Sequence, residues 1–263
     1  MENINPQSPH AIRQLIRNGE WQKPTSSLAN GYIQANLAVL PKEMAFEFLL
    51  FCQRNPKSCP LIDVTEPGSF VPALSAPTAD LRTDLPKYRV FRDGVLAEER
   101  NQITDLWTDD MVGFLIGCSF TFEEALINNG IPMRHNEENC NVPMYKTSIP
   151  AIKAGQFEGP MVVSMRPMPE KDVIRAVQVT SRFPSVHGAP VHIGNPEGIG
   201  IRNLNQPDFG DRVTVKEGEV PVFWACGVTP QAIAMHVKPE IMITHAPGHM
   251  FITDLKTEEI SVI

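Results

Sequence analysis

Two cysteines stand in the same short context. Cys118 closes the apolar run Val112–Gly117 and is followed at three residues by Thr121. Cys226 closes Val220–Ala225 and is followed at three residues by Thr229. A strand that ends where a helix begins gathers free backbone N–H groups and the positive end of the helix dipole, which suits a carboxylate or an oxyanion. A thiol at such a place can also become a nucleophile or a base if the helix start lowers its pKa. Three histidines lie in Gly/Pro-rich stretches: His187 and His192 in VHGAPVHIG, and His245 in THAPGHM. Imidazole titrates near neutrality, so these are the acid–base candidates. Arg134 and Arg166 are the candidate carboxylate anchors, because a guanidinium binds a carboxylate bidentately. Tyr145, Thr121 and Thr229 join them as substrate-binding candidates. Tyr32 and Gln34, at the end of the turn-rich segment PTSSLANGYIQA, are within reach of a ligand.

The elements that must hold these residues follow from local pattern. Thr229-Pro230 gives an N-cap and a proline at the first helical position, and the helix runs until Pro239. Ile241–Thr244 then resumes as a strand, so Val220–Thr244 reads as one βαβ unit. Val112–Gly117, Cys118, Thr121 and a helix closed by Asn129-Gly130 make a second copy. Ser8-Pro9 opens a helix ending at Asn18-Gly19. Pro41 starts another, apolar on more than one side and therefore expected to be well buried, that stops before Pro56. Asp93-Gly94 between Tyr88–Arg92 and Val95–Glu99 is a hairpin signal. Met161–Met165 is a strand, and Pro169 begins a helix with Val173, Ala176, Val177 and Thr180 on one face. The fold class is α/β: a main layered domain (1–118 and 195–263) with the duplicated strand–Cys–helix units, and a smaller inserted two-layer α+β domain (119–194).

Composition narrows the partners. In 263 residues, 42% are hydrophobic, an ordinary globular balance. The net charge of −7 argues against nucleic acid or an anionic membrane surface, which would call for a basic face. No apolar run approaches a membrane span and the N-terminus has no signal-peptide core, so a cytoplasmic protein is expected. Five cysteines without regular spacing fit a reducing compartment. His245 and His249 are four apart, but Pro247-Gly248 between them forbids the helical zinc pair, and no Cys-x-x-Cys occurs. Gly194, Gly198 and Gly200 lack the context of a dinucleotide fingerprint. No metal and no cofactor are expected. The expected partner is a small anionic amino or hydroxy acid, and homo-oligomerisation stays open.

GCSFTFEEAL, NVPMYKTSI, VVSMRPM, HGAPVHIG, PDFGD, VPVFWACGVTPQ and ITHAPGHMFITD resemble signature segments of the D-glutamate cyclase-like family, whose bacterial members are mostly called hydro-lyases. PTSSLANGYIQANL, FCQRNPKSCPL and DLRTDLPKYRVFRDG resemble its N-terminal half, so the resemblance covers nearly the whole chain. It implies an α/β fold with a smaller two-layer domain. It also implies a hydro-lyase reaction, the dehydrating cyclisation of D-glutamate to 5-oxo-D-proline. Two other readings remain beside it. A cofactor-independent two-thiol racemase or epimerase would use Cys118 and Cys226 on opposite faces of a substrate. A non-catalytic small-anion binding module would keep the pocket without the acid–base pair.

Overall fold

The duplication seen in the sequence is larger than the two cysteine turns. The computed structural model describes residues 8–262. Along the chain run α1 (Pro9–Arg17), β1 (Tyr32–Pro41), α2 (Lys42–Arg54), β2 (Leu61–Val64), β3 (Tyr88–Arg92), β4 (Val95–Arg100), β5 (Met111–Gly117), α3 (Phe120–Asn128) and α4 (Arg134–Glu137). There follow β6 (Met144–Pro150), β7 (Pro160–Pro169), α5 (Glu170–Ser181), β8 (His192–Ile193), β9 (Glu219–Ala225), α6 (Thr229–Val237), β10 (Met242–His245) and β11 (Phe251–Lys256). The class is α/β. One sheet has the order β2-β5-β1-β10-β3-β4, with β11 also on β1, and the other has the order β6-β7-β9-β8. Every strand pairing described is antiparallel.

The central pairs of the two sheets share one register. Ala35 faces Gly117 and the ladder runs to Pro41 opposite Met111; Val163 faces Ala225 and the ladder runs to Pro169 opposite Glu219. In both, the first strand ends in a proline that leads straight into a helix, because proline's fixed φ suits a helix entrance and it needs no donor there. In both, the second strand ends in Cys-x-x-Thr and a helix. The halves then exchange a strand: β6, which follows α3, pairs with β7, and β10, which follows α6, pairs with β1.

That exchange corrects the expected βαβ unit. Strand, helix and strand form where the sequence places them, but β9 and β10 lie in different sheets. The second sheet also reaches past the 119–194 segment, since β9 pairs along the length of β7. Its helix side is filled by Phe122, Leu126, Met168, Ala176, Val222 and Trp224. Against the first sheet, α2 packs Phe48 on Phe114, ring centroids 4.9 Å apart and nearly perpendicular, a favourable edge-to-face arrangement. Only Phe48, Phe51 and Cys52 of α2 are buried, while Phe46 is 73% exposed. A helix on one sheet face covers one stripe, and the expectation of broad burial fails. Asp93 (φ 50°) and Gly94 (φ 78°) make the expected hairpin turn, both in the left-handed region a type I′ turn requires.

Candidate functional site

The strand exchange brings the two cysteine turns together. Cys118 and Cys226 belong to one apolar cluster with Val142, Met144, Val162 and Met250. Each turn is anchored to the neighbouring strand by the same pair of contacts. Cys118 N donates to Gln34 O at 3.1 Å, and Thr121 Oγ1 accepts from Gln34 N at 3.0 Å. Cys226 N donates to Val162 O at 2.9 Å, and Thr229 Oγ1 accepts from Val162 N at 3.2 Å. Thr121 and Thr229 therefore act as braces for their strands. Asn36 ties the turns to each other: its Nδ2 donates to Ile116 O and Gly117 O, and a Cβ on Gly227 would lie 1.8 Å from that nitrogen. The helix starts do not activate the thiols. Burial outweighs them and pushes Cys226 up to about 11, and Cys118 higher still.

Beside the thiols lies a buried charge cluster. Arg166 is 1% exposed. Its guanidinium donates to Glu123 through Nε at 3.0 Å and through Nη2, to Ser164 Oγ at 3.0 Å and to Ser119 Oγ at 3.1 Å. It also faces the rings of Phe122 and Trp224, 5.5 Å from each centroid. His135 Nε2 is 3.3 Å from the same carboxylate. Burial alone would raise Glu123, but His135 and Arg166 outweigh it and hold the carboxyl below its usual range. Arg166, expected to anchor a substrate carboxylate, is thus paired with a carboxylate from within the chain. Arg134 is likewise engaged, by Glu219 at 2.6 Å, Glu137 at 2.8 Å and the Thr214 carbonyl.

The remaining candidates separate. Tyr145 donates its hydroxyl to Leu204 O at 2.7 Å, and burial pushes the phenol up. His192 is held by Asn195 O at 2.6 Å and packs on Phe223 in the second sheet. Neither belongs to the thiol cluster. His187 is buried in a left-handed conformation (φ 83°), and its Nδ1 donates to Lys57 O at 2.9 Å, so the neutral ring keeps its lone pair on Nε2. His245 Nδ1 lies 3.3 Å from both N and O of Leu37. Among the described residues Nε2 of each ring has no hydrogen-bond partner. Burial lowers His187 to about 4 and His245 to about 3, so both are neutral at pH 7.

A cavity of about 130 Å³ opens against this cluster, between the Pro24–Gly31 loop and α3; Gln34, Phe120, Thr121, Glu123 and Glu124 line it. The loop is folded over it under strain: Ser27 and Ala29 have φ of 65° and 48°, unusual without a glycine. Thr25 fastens the loop to the HAPGHM segment by donating to Gly248 O and accepting from Met250 N. The cavity continues along α3 into a cleft of about 490 Å³ that carries Arg182 and Lys256. Of the residues expected to reach a ligand, Tyr32, Gln34 and Thr121 line the cavity. Glu123 was missed. Its signal was its place on the buried face of α3, between Phe120 and Leu126. Asn36, polar within the apolar strand ANLAVL, was a second unread signal. Among the described residues no three His, Cys, Asp or Glu side chains are grouped to hold a metal ion, and no helix is long and apolar enough to cross a membrane.

The model of a protein family described as D-glutamate cyclase matches residues 112–254, which include both cysteine turns and the charge cluster. A Geobacillus kaustophilus protein named "Putative hydro-lyase" is 74% identical over 258 residues, 98% of either chain. A Bacillus subtilis protein of the same name is 64% identical over 256 residues, covering 97% of this chain and all of that one. A solved structure, a nitrogen repressor-like protein from Methanococcus jannaschii, covers 95% of this chain at 10% identity and a TM-score of 0.42, too low to carry an argument.

Proposed function

The chain belongs to the D-glutamate cyclase family, and on that premise we propose that it is a hydro-lyase that closes D-glutamate to 5-oxo-D-proline with release of water. The observation that carries this reading is the match to the family model together with full-length relatives named as hydro-lyases. In the reaction the amine nitrogen forms a bond to the γ-carboxyl carbon. A C–O bond breaks, and the departing oxygen leaves as water with protons that the substrate itself supplies. The enzyme has to fold the substrate so that nitrogen and carbon approach, and to relay protons. The small cavity at α3 suits the first task. For the second, the buried groups have fixed states at pH 7: both thiols are protonated and both buried imidazoles are neutral. Neither Cys118 nor His187 lines the cavity, and a thiol raised this far and an imidazole lowered this far exchange protons poorly, so in this reading the protons pass between the substrate's own ammonium and carboxylate.

The same protonation states weigh against the two-thiol racemase, which needs one thiolate to take the Cα proton. The test is proton NMR of purified protein with D-glutamate, L-glutamate and a panel of hydroxy and amino acids. We expect 5-oxoproline from the D isomer. No 5-oxoproline above the uncatalysed rate, with dehydration of another acid, would overturn the substrate and keep the lyase. Cα deuterium exchange without water loss would favour the racemase. Binding without turnover of any panel member would favour a binding module.

A further inference from the structure

We infer that the cavity beneath the Pro24–Gly31 loop is an ammonium-recognition site that takes the amino group of a small amino acid, with the adjoining cleft receiving its carboxylate. The starting observation is Gln34. Its side chain is 3% exposed, and its Nε2 spends both hydrogens on Thr25 O and Leu28 O, each at 3.0 Å. Two carbonyls can only accept, so the amide orientation is fixed, and among the described residues Oε1 is left without a partner. A buried acceptor without a donor is a cost that native structures rarely carry unless a ligand or water meets it.

The rest of the wall selects what meets it. Among the described residues the charged side chains lining the cavity are Glu123 and Glu124. Glu123 is spent on Arg166 and His135, and Thr121 Oγ1 accepts from Gln34 N, with its own O–H facing Gln34 O at 3.5 Å. Glu124, at the mouth, makes no ion pair among the described residues, so its negative charge is uncompensated. A free acceptor at the floor and a bare carboxylate at the mouth repel a carboxylate and suit a compact cation with several donors. A primary ammonium has three. The strained Ser27 and Ala29 gain a purpose here, since their loop presents the two carbonyls that aim the Gln34 amide.

The neighbouring cleft is mixed in charge. It shares Gly31, Tyr32, Thr121, Glu124 and Asn128 with the cavity and adds two cations, Arg182 and Lys256, beside one further carboxylate, Glu258. Among the described residues the Arg182 side chain donates through Nε to Val262 O, and Lys256 is 3.6 Å from the exposed Glu258. An amino acid therefore lies with its amine inward and a carboxylate outward. This inference rests on the proposed cyclase reading for its substrate, and adds a consequence: the cyclised product holds one neutral lactam N–H in place of three charged donors, is held less tightly at the inner end and is released.

Calorimetric titration of the full chain with D-glutamate, glutarate, methylammonium and 5-oxo-D-proline tests it. We expect D-glutamate to bind at least tenfold more tightly than glutarate or 5-oxo-D-proline, and methylammonium to compete. Gln34→Met removes the acceptor and should bring D-glutamate down to glutarate. Because that change also frees the loop, Glu124→Gln at the surface provides the second variant; it should weaken D-glutamate about fivefold and strengthen glutarate. Equal binding of D-glutamate and glutarate by the unaltered protein, or equal shifts of both in Glu124→Gln, would overturn the site. So would competition by potassium ion as strong as by methylammonium. Amine preference without 5-oxoproline formation would sink the cyclase reading alone. Turnover with a KM indifferent to both variants would sink the site alone.

Discussion

Five residues after each cysteine the two halves part ways. In the first half that position is Glu123, whose carboxylate takes the guanidinium of Arg166 and the ring of His135. In the second it is Gln231, which donates to His245 O at 2.7 Å and accepts from Arg89 at 3.3 Å. The positions that face them differ in the same sense. Arg166 on β7 occupies the register place that Ala38 fills on β1, opposite Val222 and Phe114 respectively. Ser119, which accepts from Arg166, corresponds to Gly227, which lies against Asn36. One scaffold has thus been wired once through a buried carboxylate and once through an amide. The charged end adjoins the cavity under α3. Backbone geometry sets where a strand end can present chemistry, and a few side chains decide which chemistry it is.

The sharpest way to break this comparison is to remove the carboxylate. Glu123→Ala leaves Arg166 buried and unpaired, which typically costs 3–5 kcal/mol. Gln231→Ala leaves the His245 carbonyl and an Arg89 that keeps its ion pair with Glu99, and should cost about 1–3 kcal/mol. Urea unfolding of both variants measures the difference. Equal losses would mean that the charged wiring has no special energetic weight. Replacing Glu123 and Arg166 together by Met should recover most of the stability while abolishing turnover.

The buried histidines give a pH signature. His187 and His245 titrate near 6.5 in the unfolded chain but at about 4 and about 3 when folded. As pH falls below about 6.5 the unfolded state takes up protons that the native state refuses, so stability declines. The contribution is complete above about 6.5 and is lost progressively down to the folded values. Between pH 6.5 and 5 each imidazole should remove on the order of 2 kcal/mol. Guanidinium midpoints at the two pH values, with His187→Asn and His245→Asn as controls, check this. A midpoint that does not move would mean that the rings are solvated in the native state.

What the sequence made legible was local. The Ser8 cap, the Asp-Gly turn, the helix starts at Pro9, Pro41 and Pro169 and the repeated Cys-x-x-Thr are decided by neighbours within a few residues, and they form as expected; the threonine caps do not, since Val228 and Ser119 take the N-cap places and Thr229 and Thr121 turn to the neighbouring strands instead. The partners of each strand were not legible: β9 and β10 flank one helix, yet pair with strands far away in sequence, because the halves interlock. The site divided in the same way. Gln34, Tyr32 and Thr121 were visible as polar residues at strand and helix ends. The arginines were visible too, but not the carboxylates that occupy them, since Glu219 lies 85 positions from Arg134 and Glu123 lies 43 from Arg166.

A smaller test concerns the turns themselves. Gly227 has no room for a side chain because Asn36 fills it, so Gly227→Ala should cost about 1–3 kcal/mol through overpacking. Ser119→Ala at the matching position keeps its Cβ and loses one contact to Arg166, so about 1 kcal/mol is expected. In a double-mutant cycle, Asn36→Ala should make Gly227→Ala nearly free. Independent effects would mean that the two turns are not clamped through Asn36.

The smallest effect is the most informative about the shared scaffold. Thr121 and Thr229 each brace the strand beside their turn by accepting a backbone N–H, from Gln34 and Val162. Valine has the same shape without the hydroxyl, and substitution strands a buried N–H, so each Thr→Val change should lose about 1–2 kcal/mol. The comparison turns on equality. If the two halves keep one backbone device beneath different chemistry, the two losses agree to within about 0.5 kcal/mol. The double variant, whose sites lie in different sheets, should be additive to the same tolerance. Thr229 also donates to Cys226 O at 2.6 Å, while Thr121 Oγ1 stands 3.5 Å from Gln34 O. Any excess should therefore fall on Thr229. A clearly larger loss at Thr121 would place extra duty on the first turn, and the natural source of that duty is the cavity whose wall Thr121 forms.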